Sequence, residues 1–155
     1  MALEEKLRLL IIEARFHAAV SDALLKGASA AIAAAGAEFD VVTVPGAMEL
    51  PAALAFAEEG GHRPAGVRYN GYVMLGCVIR GETYDFEVIS NEAARGLTDL
   101  AIGRRLAIGN GVLNVDNINQ AAVQARPDKE DRGGRAAKAC LAMIALRKRL
   151  LGQSR

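Results

Sequence analysis

The residues with the clearest chemical potential lie in one stretch, Met74 to Phe86, M-L-G-C-V-I-R-G-E-T-Y-D-F. An apolar run, Gly71 to Ile79, stops at Arg80-Gly81, and a helical pattern starts near Thr83 and continues to about Ile102. A strand that empties through a glycine into a helix start gathers unpaired backbone N–H groups and a partial positive charge at one point. An anion, phosphate above all, is stabilised there, and Thr83 can add its hydroxyl as a helix cap or as a phosphate donor. The same junction also occurs in parallel α/β proteins that bind nothing at it. Phe16 can stack on a flat ring or serve as a core aromatic. His17 can line a site or cap the helix that follows it, and Glu49 can hold the hydroxyls of a polar ligand or sit as a helix-start acid. Phe16 and the helix start jointly suggest a flat heterocycle plus a phosphate.

Other chemistries lack their signatures. There is no G-x-G-x-x-G, no Walker A loop, no Cys-x-x-Cys and no Ser–His–Asp constellation. His62 lies in a polar loop and reads as solvated. Cys77 and Cys140 have no metal-ligand spacing and read as small core hydrophobes of a reduced compartment. The net charge of +1, without a basic block, gives no sign of nucleic acid. The Arg147-Lys148-Arg149 triplet is expected to complement a last helical turn. Glu4 and Glu5 interrupt the N-terminus and no apolar run approaches membrane-spanning length, so the expectation is a cytoplasmic protein with no membrane partner.

The elements that must position these residues follow from periodicity. Leu7 to Ala14 is a nearly continuous apolar run, as in a strand covered on both faces. Ala18 to Ala35 has a helical stripe of Val20, Leu24, Leu25, Ala28 and Ile32, closed by Gly36. Phe39 to Val44 is a β-branched second strand ended by Pro45-Gly46, and a helix starting around Met48 to Pro51 runs to about Glu58. A polar loop, Gly60 to Asn70, leads to the Gly71–Ile79 strand and a helix from Tyr84 to Ile102. Leu106 to Val115 is the fourth strand. A short helix, Asn117 to Ala125, is capped by Asp116 or Asn117, Arg126 to Gly134 is a charged turn, and Ala136 to Leu151 is the closing helix. Alternating strands and helices predict an α/β fold: a three-layer αβα sandwich on a four-stranded parallel sheet in the flavodoxin-like order 2-1-3-4. Its 155 residues are expected to form one domain. Ligands in such sheets lie beyond the carboxyl ends of the strands. That selects Phe16-His17, Gly46 to Glu49, Ile79 to Asp85 and Asn110 to Asn114.

Two of these segments carry a resemblance. Val44 to Pro51, V-P-G-A-M-E-L-P, and Gly76 to Thr83, G-C-V-I-R-G-E-T, are similar to the two hallmark segments of the lumazine synthase family. The likeness continues through Arg15-Phe16, Asn91-Glu92-Ala93, Gly109 to Leu113, Asn117 with Gln120-Ala121, and Gly133-Gly134 with Ala136-Ala137, over nearly the whole chain. The Gly109-Asn110-Gly111 and Gly81-Glu82-Thr83-Tyr84 versions look most like alphaproteobacterial variants.

The resemblance implies condensation of 5-amino-6-(D-ribitylamino)uracil with 3,4-dihydroxy-2-butanone 4-phosphate, the penultimate step of riboflavin biosynthesis, without metal or cofactor. It implies that Phe16 stacks on the pyrimidine, that Ala47, Met48 and Glu49 hold the ribityl chain and ring, and that Cys77, Val78 and Ile79 supply backbone contacts. Asn110 falls where the family often has a phenylalanine from a neighbouring subunit. Glu82 and Thr83 are implied to hold the phosphate. The family forms homopentamers with shared active sites, in many members closed into a 60-subunit shell, and riboflavin synthase is an implied partner.

Three positions depart from the family pattern. Asp85 stands where the family has its general acid/base histidine in R-G-x-T-x-H. The phosphate-binding arginine aligns with Gln124, with Arg126 two residues on, and a late lysine aligns with Arg132. Asp85 touches catalysis, or else is a helix-start acid; the alternative to an enzyme slowed by it is a homologue that binds a flavin or lumazine, or forms a shell, with little turnover. A flavodoxin-like regulatory domain would need an acidic pocket at the strand ends, whereas Asp40 begins its strand.

Overall fold

The computed structural model describes residues 6–152. In chain order the elements are β1 (Arg8–Ala14), α1 (Ala18–Ala34), β2 (Glu38–Val44), a 3₁₀ turn (Ala47–Glu49), α2 (Leu50–Gly60), β3 (Gly71–Ile79), α3 (Asp85–Arg104), β4 (Ile108–Val115), α4 (Ile118–Ala125) and α5 (Arg132–Leu151). The four strands form one parallel sheet in the order β2-β1-β3-β4, as expected.

The near-continuous apolar runs of β1 and β3 have a direct cause: both faces of the sheet are covered. Leu9, Ile11, Val73 and Leu75 pack under α1, α4 and α5, while Leu10, Ile12, Tyr72 and Met74 pack under α2 and α3. The α1 stripe buries Val20, Leu24, Ala28 and Ile32, and Gly36 at φ 75° lets the chain leave the helix. Pro51 lies in the first turn of α2, where its missing N–H costs no helix bond. Asn117 caps α4, its Oδ1 accepting the Gln120 N–H at 2.9 Å.

The turn before the last helix is corrected. α5 begins at Arg132, not Ala136, so Gly133-Gly134 belongs to its first turn and only Arg126 to Asp131 is irregular. Asp131 caps the helix by accepting the Gly134 N–H at 3.2 Å. The glycines are there for close approach: a Cβ on Gly133 would lie 2.1 Å from the Leu24 carbonyl oxygen of α1. On the β4 side a Cβ on Gly109 would meet the Ala136 carbonyl oxygen at 1.8 Å. A glycine pair that reads as a turn is thus a helix–helix contact.

Two smaller findings concern polar side chains. α2 continues to Gly60, which places His62 beside Glu58. Its Nε2 lies 2.5 Å from Oε1 of that buried carboxylate, so His62 is exposed, as expected, and is also paired. Arg147 does more than complement a helix end, donating to the carbonyls of Arg105 (3.1 Å) and Asn70 (2.7 Å). Both cysteines are buried and free. Burial pushes the Cys77 thiol up to about 11 and Cys140 to about 12. No helix among the described residues is long and apolar enough to cross a membrane.

Candidate active site

The carboxyl ends of β1, β2 and β3 open onto a pocket of about 250 Å³. Its wall is Ala14, Arg15 and Phe16 after β1, Pro45, Gly46 and Ala47 after β2, and Cys77, Val78 and Ile79 closing β3, with Ile89 of α3 across from them. The lining is mainly apolar side chain and strand-end backbone, a composition that suits a flat ring with polar edges. Phe16 is 66% exposed, which rules out its reading as a core aromatic. His17 occupies the capping position of α1, but its side chain makes no capping bond. Met48 is exposed, and Glu49 folds its carboxylate over Gly46, Oε1 lying 3.3 Å from where a Cβ on that glycine would sit.

Behind Phe16 stands a buried acid that the apolar reading of its strand passed over. Glu13 is 5% exposed and is satisfied twice: Thr43 Oγ1 donates to it at 3.0 Å and Arg15 Nη1 at 2.8 Å. Arg15 also pairs with Asp22, and the Phe16 N–H donates to Ser21 Oγ at 3.3 Å. The pocket rim is therefore fixed from below by the Arg15 ion pairs to β1 and α1 and by the Thr43 hydroxyl of β2. A lone acid inside Leu9–Ala14 was the available signal, because a buried carboxylate needs partners.

Beyond Ile79 the chain passes through Gly81, Glu82 and Thr83 into α3. The helix starts at Asp85, with Thr83 Oγ1 3.4 Å from the Asp85 N–H, and its first turn carries Asp85 and Glu87. Asp85 and the pocket-lining Ile89 are four residues apart on one helix face, which sets Asp85 one turn above the pocket. Glu82, Thr83 and Asp85 are all exposed and do not line the pocket themselves; they lie in the segment between its lining residues Ile79 and Ile89.

The remaining predicted residues are not brought to this pocket. Asn110 is exposed on the edge strand β4, paired across from Met74 rather than from Cys77 to Ile79. Its Oδ1 accepts the Val112 N–H at 2.9 Å. Arg132 Nη2 lies 3.5 Å from the Asn110 carbonyl oxygen, so these two are neighbours, and among the described residues no carboxylate pairs with Arg132. Arg126, by contrast, is held by both oxygens of Asp128, at 3.0 and 2.7 Å. Gln124 lines a separate, amide-rich cleft with Asn114, Asn117 and Gln120.

A parallel αβα sandwich whose strand ends surround a ring-sized pocket, with a helix start between two of its lining residues, defines a ligand-binding α/β protein of the doubly wound class. The chain belongs to the 6,7-dimethyl-8-ribityllumazine synthase family, whose model matches residues 6–148. It is 54% identical over 147 residues to the 6,7-dimethyl-8-ribityllumazine synthase of Bartonella tribocorum, covering 95% of this chain and 94% of that protein. The Agrobacterium fabrum protein of that name is 53% identical over 147 residues, covering 95% of this chain and 99% of the relative. 6,7-Dimethyl-8-ribityllumazine synthase 1 of Rhizobium meliloti is 52% identical over 150 residues, covering 97% of each chain.

Proposed function

We propose that this chain is a transferase that condenses 5-amino-6-(D-ribitylamino)uracil with 3,4-dihydroxy-2-butanone 4-phosphate to 6,7-dimethyl-8-ribityllumazine, the penultimate step of riboflavin biosynthesis. The observation that carries the reading is the strand-end pocket lined by Ile79 and Ile89, which flank the Gly81–Tyr84 loop and the start of α3, in a chain of this family. Phe16 stacks on the pyrimidine, the backbone of Cys77, Val78 and Ile79 meets the ring edge, and Ala47, Met48 and Glu49 hold the ribityl chain. Glu82 and Thr83 offer the phosphate the backbone and hydroxyl of a helix start. The substrate's 5-amine attacks the ketone, water leaves to give an imine, phosphate departs, and the ring closes with loss of a second water. Asp85 stands where protons are exchanged and serves as base or as counter-charge to the cationic imine. Holding two substrates together supplies much of the rate.

The cation for the phosphate comes from the other group of residues. Arg132, unpaired with any described carboxylate, fits the role better than Arg126, which Asp128 already neutralises. Gln124 and Asn110 belong with it. Because these residues lie away from the pocket of their own chain, they act on a neighbour's, and the working unit is a homopentamer at minimum, with a 60-subunit shell as its larger form. The chain acts as one domain in the cytoplasm, and riboflavin synthase is the partner that takes the product. Asp85 also supports a second reading, a lumazine- or flavin-binding assembly with little turnover. Incubation with both substrates, followed by lumazine absorbance, separates the two: product formation establishes the enzyme, and tight lumazine binding without turnover establishes the alternative. Light scattering tests the assembly, and a monomeric or dimeric mass overturns it.

A further inference from the structure

Arg80 leaves β3 with its backbone still in the ladder, the N–H donating to the Val115 carbonyl at 2.8 Å. Its side chain then gathers three segments. Nη1 donates to Glu87 Oε1 of α3 at 2.7 Å, and Nε donates to Asp116 Oδ1, just past β4, at 3.0 Å. The guanidinium carbon lies 4.4 Å from the centroid of the Phe86 ring, within cation–π range. Asp116 is itself anchored, its N–H donating to Gln120 Oε1 of α4 at 2.7 Å.

The segment that this bridge spans has little else to hold it. Among the described residues, Gly81 to Tyr84 make no hydrogen bond to any element except the start of α3, and a Cβ on Gly81 would meet nothing within 4 Å. Tyr84 is 73% exposed. The direction in which the Thr83 hydroxyl and the first N–H groups of α3 point is therefore set at the loop's two ends. One end is the β3 ladder, and the other is the first turn of α3, where Phe86 and Glu87 meet Arg80. Exposed ion pairs contribute little stability singly. A guanidinium held by two carboxylates and a ring has its orientation fixed, however, and lysine cannot reproduce that fork and face.

We propose that Arg80 is a positioning residue for the phosphate: it clamps the Gly81–Tyr84 loop and the first turn of α3 to the end of β4, and does not touch the phosphate itself. Nε, Nη1 and one face of the guanidinium are already engaged, which leaves only Nη2 for a direct ligand role and makes the clamp the role that the geometry carries. The proposal rests on the assignment of the phosphate to Thr83 and its loop.

The test uses the assembled protein, with inorganic phosphate as the inhibitor and both substrates varied. Arg80→Ala raises the inhibition constant of phosphate and the KM of the butanone phosphate by about tenfold, with the pyrimidine KM moving less than about twofold, because a displaced binding group misplaces one substrate only. Arg80→Lys recovers part of the loss. Glu87→Gln and Asp116→Asn weaken phosphate in the same direction and by less. The carboxylate variants separate the two roles: if Arg80 were a ligand, releasing it from Glu87 or Asp116 would tighten phosphate. Tighter phosphate in either variant, unchanged phosphate in all four, or equal weakening of both substrates overturns the proposal. If Arg80→Ala fails to assemble, Arg80→Lys and the two carboxylate variants decide the same question. Phosphate inhibition and turnover that are both missing from the unsubstituted protein overturn the site assignment and the clamp with it. A normal unsubstituted protein with insensitive variants overturns the clamp alone.

Discussion

The pocket at the end of β1, β2 and β3 and the set on β4, α4 and α5 differ in what their charges do. At the pocket, Glu13 is buried and spent on Thr43 and Arg15, and the thiol of Cys77 is desolvated. These groups hold geometry, and the surface they leave to a ligand is apolar side chain and backbone. On the other side, Asn110 is exposed, Gln124 and Arg132 are half-buried, and Arg132 has no carboxylate partner among the described residues. The first region is a ring-sized pocket whose lining cation, Arg15, is already paired with two carboxylates, and the second is a cation without a carboxylate partner, outside the amide-rich cleft that Gln124 lines. Each has what the other lacks, and that difference is the argument for a site built between two copies of the chain.

The comparison is tested most severely at Arg132. Arg132→Ala removes a charge-assisted contact and lowers kcat/KM by about tenfold to a hundredfold, through the KM of the butanone phosphate. Arg126→Ala has a much smaller effect, since Asp128 already holds Arg126. The reverse order in steady-state kinetics would give Arg126 the role.

Asp85 sharpens the pocket side. General acid–base catalysis contributes roughly 10²–10⁴-fold, and a histidine gives and takes protons near neutrality where a carboxylate does not. Proximity survives at Asp85, so Asp85→His is expected to raise kcat by up to about a hundredfold. The pyrimidine KM should change little, because the ring contacts lie on Phe16, Ala47 to Glu49 and Cys77 to Ile79. If Asp85→His and Asp85→Ala both leave kcat unchanged, residue 85 does not transfer the proton.

Thr83→Val deletes one hydroxyl contact to an anion and should weaken the butanone phosphate about tenfold more than the pyrimidine. Equal weakening of both would place the phosphate elsewhere.

The smallest effect comes from three buried or half-buried groups, of which only Cys77 lines the pocket. The Cys77 and Cys140 thiols are raised by burial from an ordinary 9.0 to about 11 and about 12. Tyr69 moves from 10.0 to about 12, first through burial and then through its hydrogen bond to Asp40. Groups whose folded values are raised bind protons more tightly in the fold, so their contribution is full below about 9 and is lost as pH rises through about 11 to 12. Denaturant midpoints should fall across that window, while alkylation of either thiol stays slow at pH 8. Rapid labelling of Cys77 at pH 8 would mean an open pocket floor.

How much of this was legible beforehand depended on the kind of signal. Period and punctuation placed every strand, because the burial of Leu9 to Ile12 on two faces dictates an unbroken apolar run, and the crossover rules of parallel sheets led to the strand order. The strand-end loops followed from topology, and three of them do meet at the pocket. Illegible features were those in which a residue's partner is distant in sequence. Gly133-Gly134 read as a turn because nothing local announces the Leu24 carbonyl. Glu13 read as part of an apolar run because Thr43 lies on another strand. Arg80 read as a strand terminator because Glu87 and Asp116 come from two other elements. The fourth segment, Asn110 to Asn114, is not a strand-end loop at all: it lies within β4, paired in register with Met74 to Val78, and the carboxyl end of that strand is Val115.

Whether the two regions form one site across a junction can be measured directly. Two chains are made, one with Phe16→Ala and one with Arg132→Ala, each expected to be weak alone. They are then unfolded together and reassembled, or co-expressed. In mixed rings about one junction in four sets an intact Phe16 face against an intact Arg132 face. The account predicts that lumazine formation recovers to about a quarter of the unsubstituted rate, far above either variant alone. Activity equal to the average of the two separate variants would contradict it, and would place Phe16 and Arg132 in the same chain's site or in no common site at all.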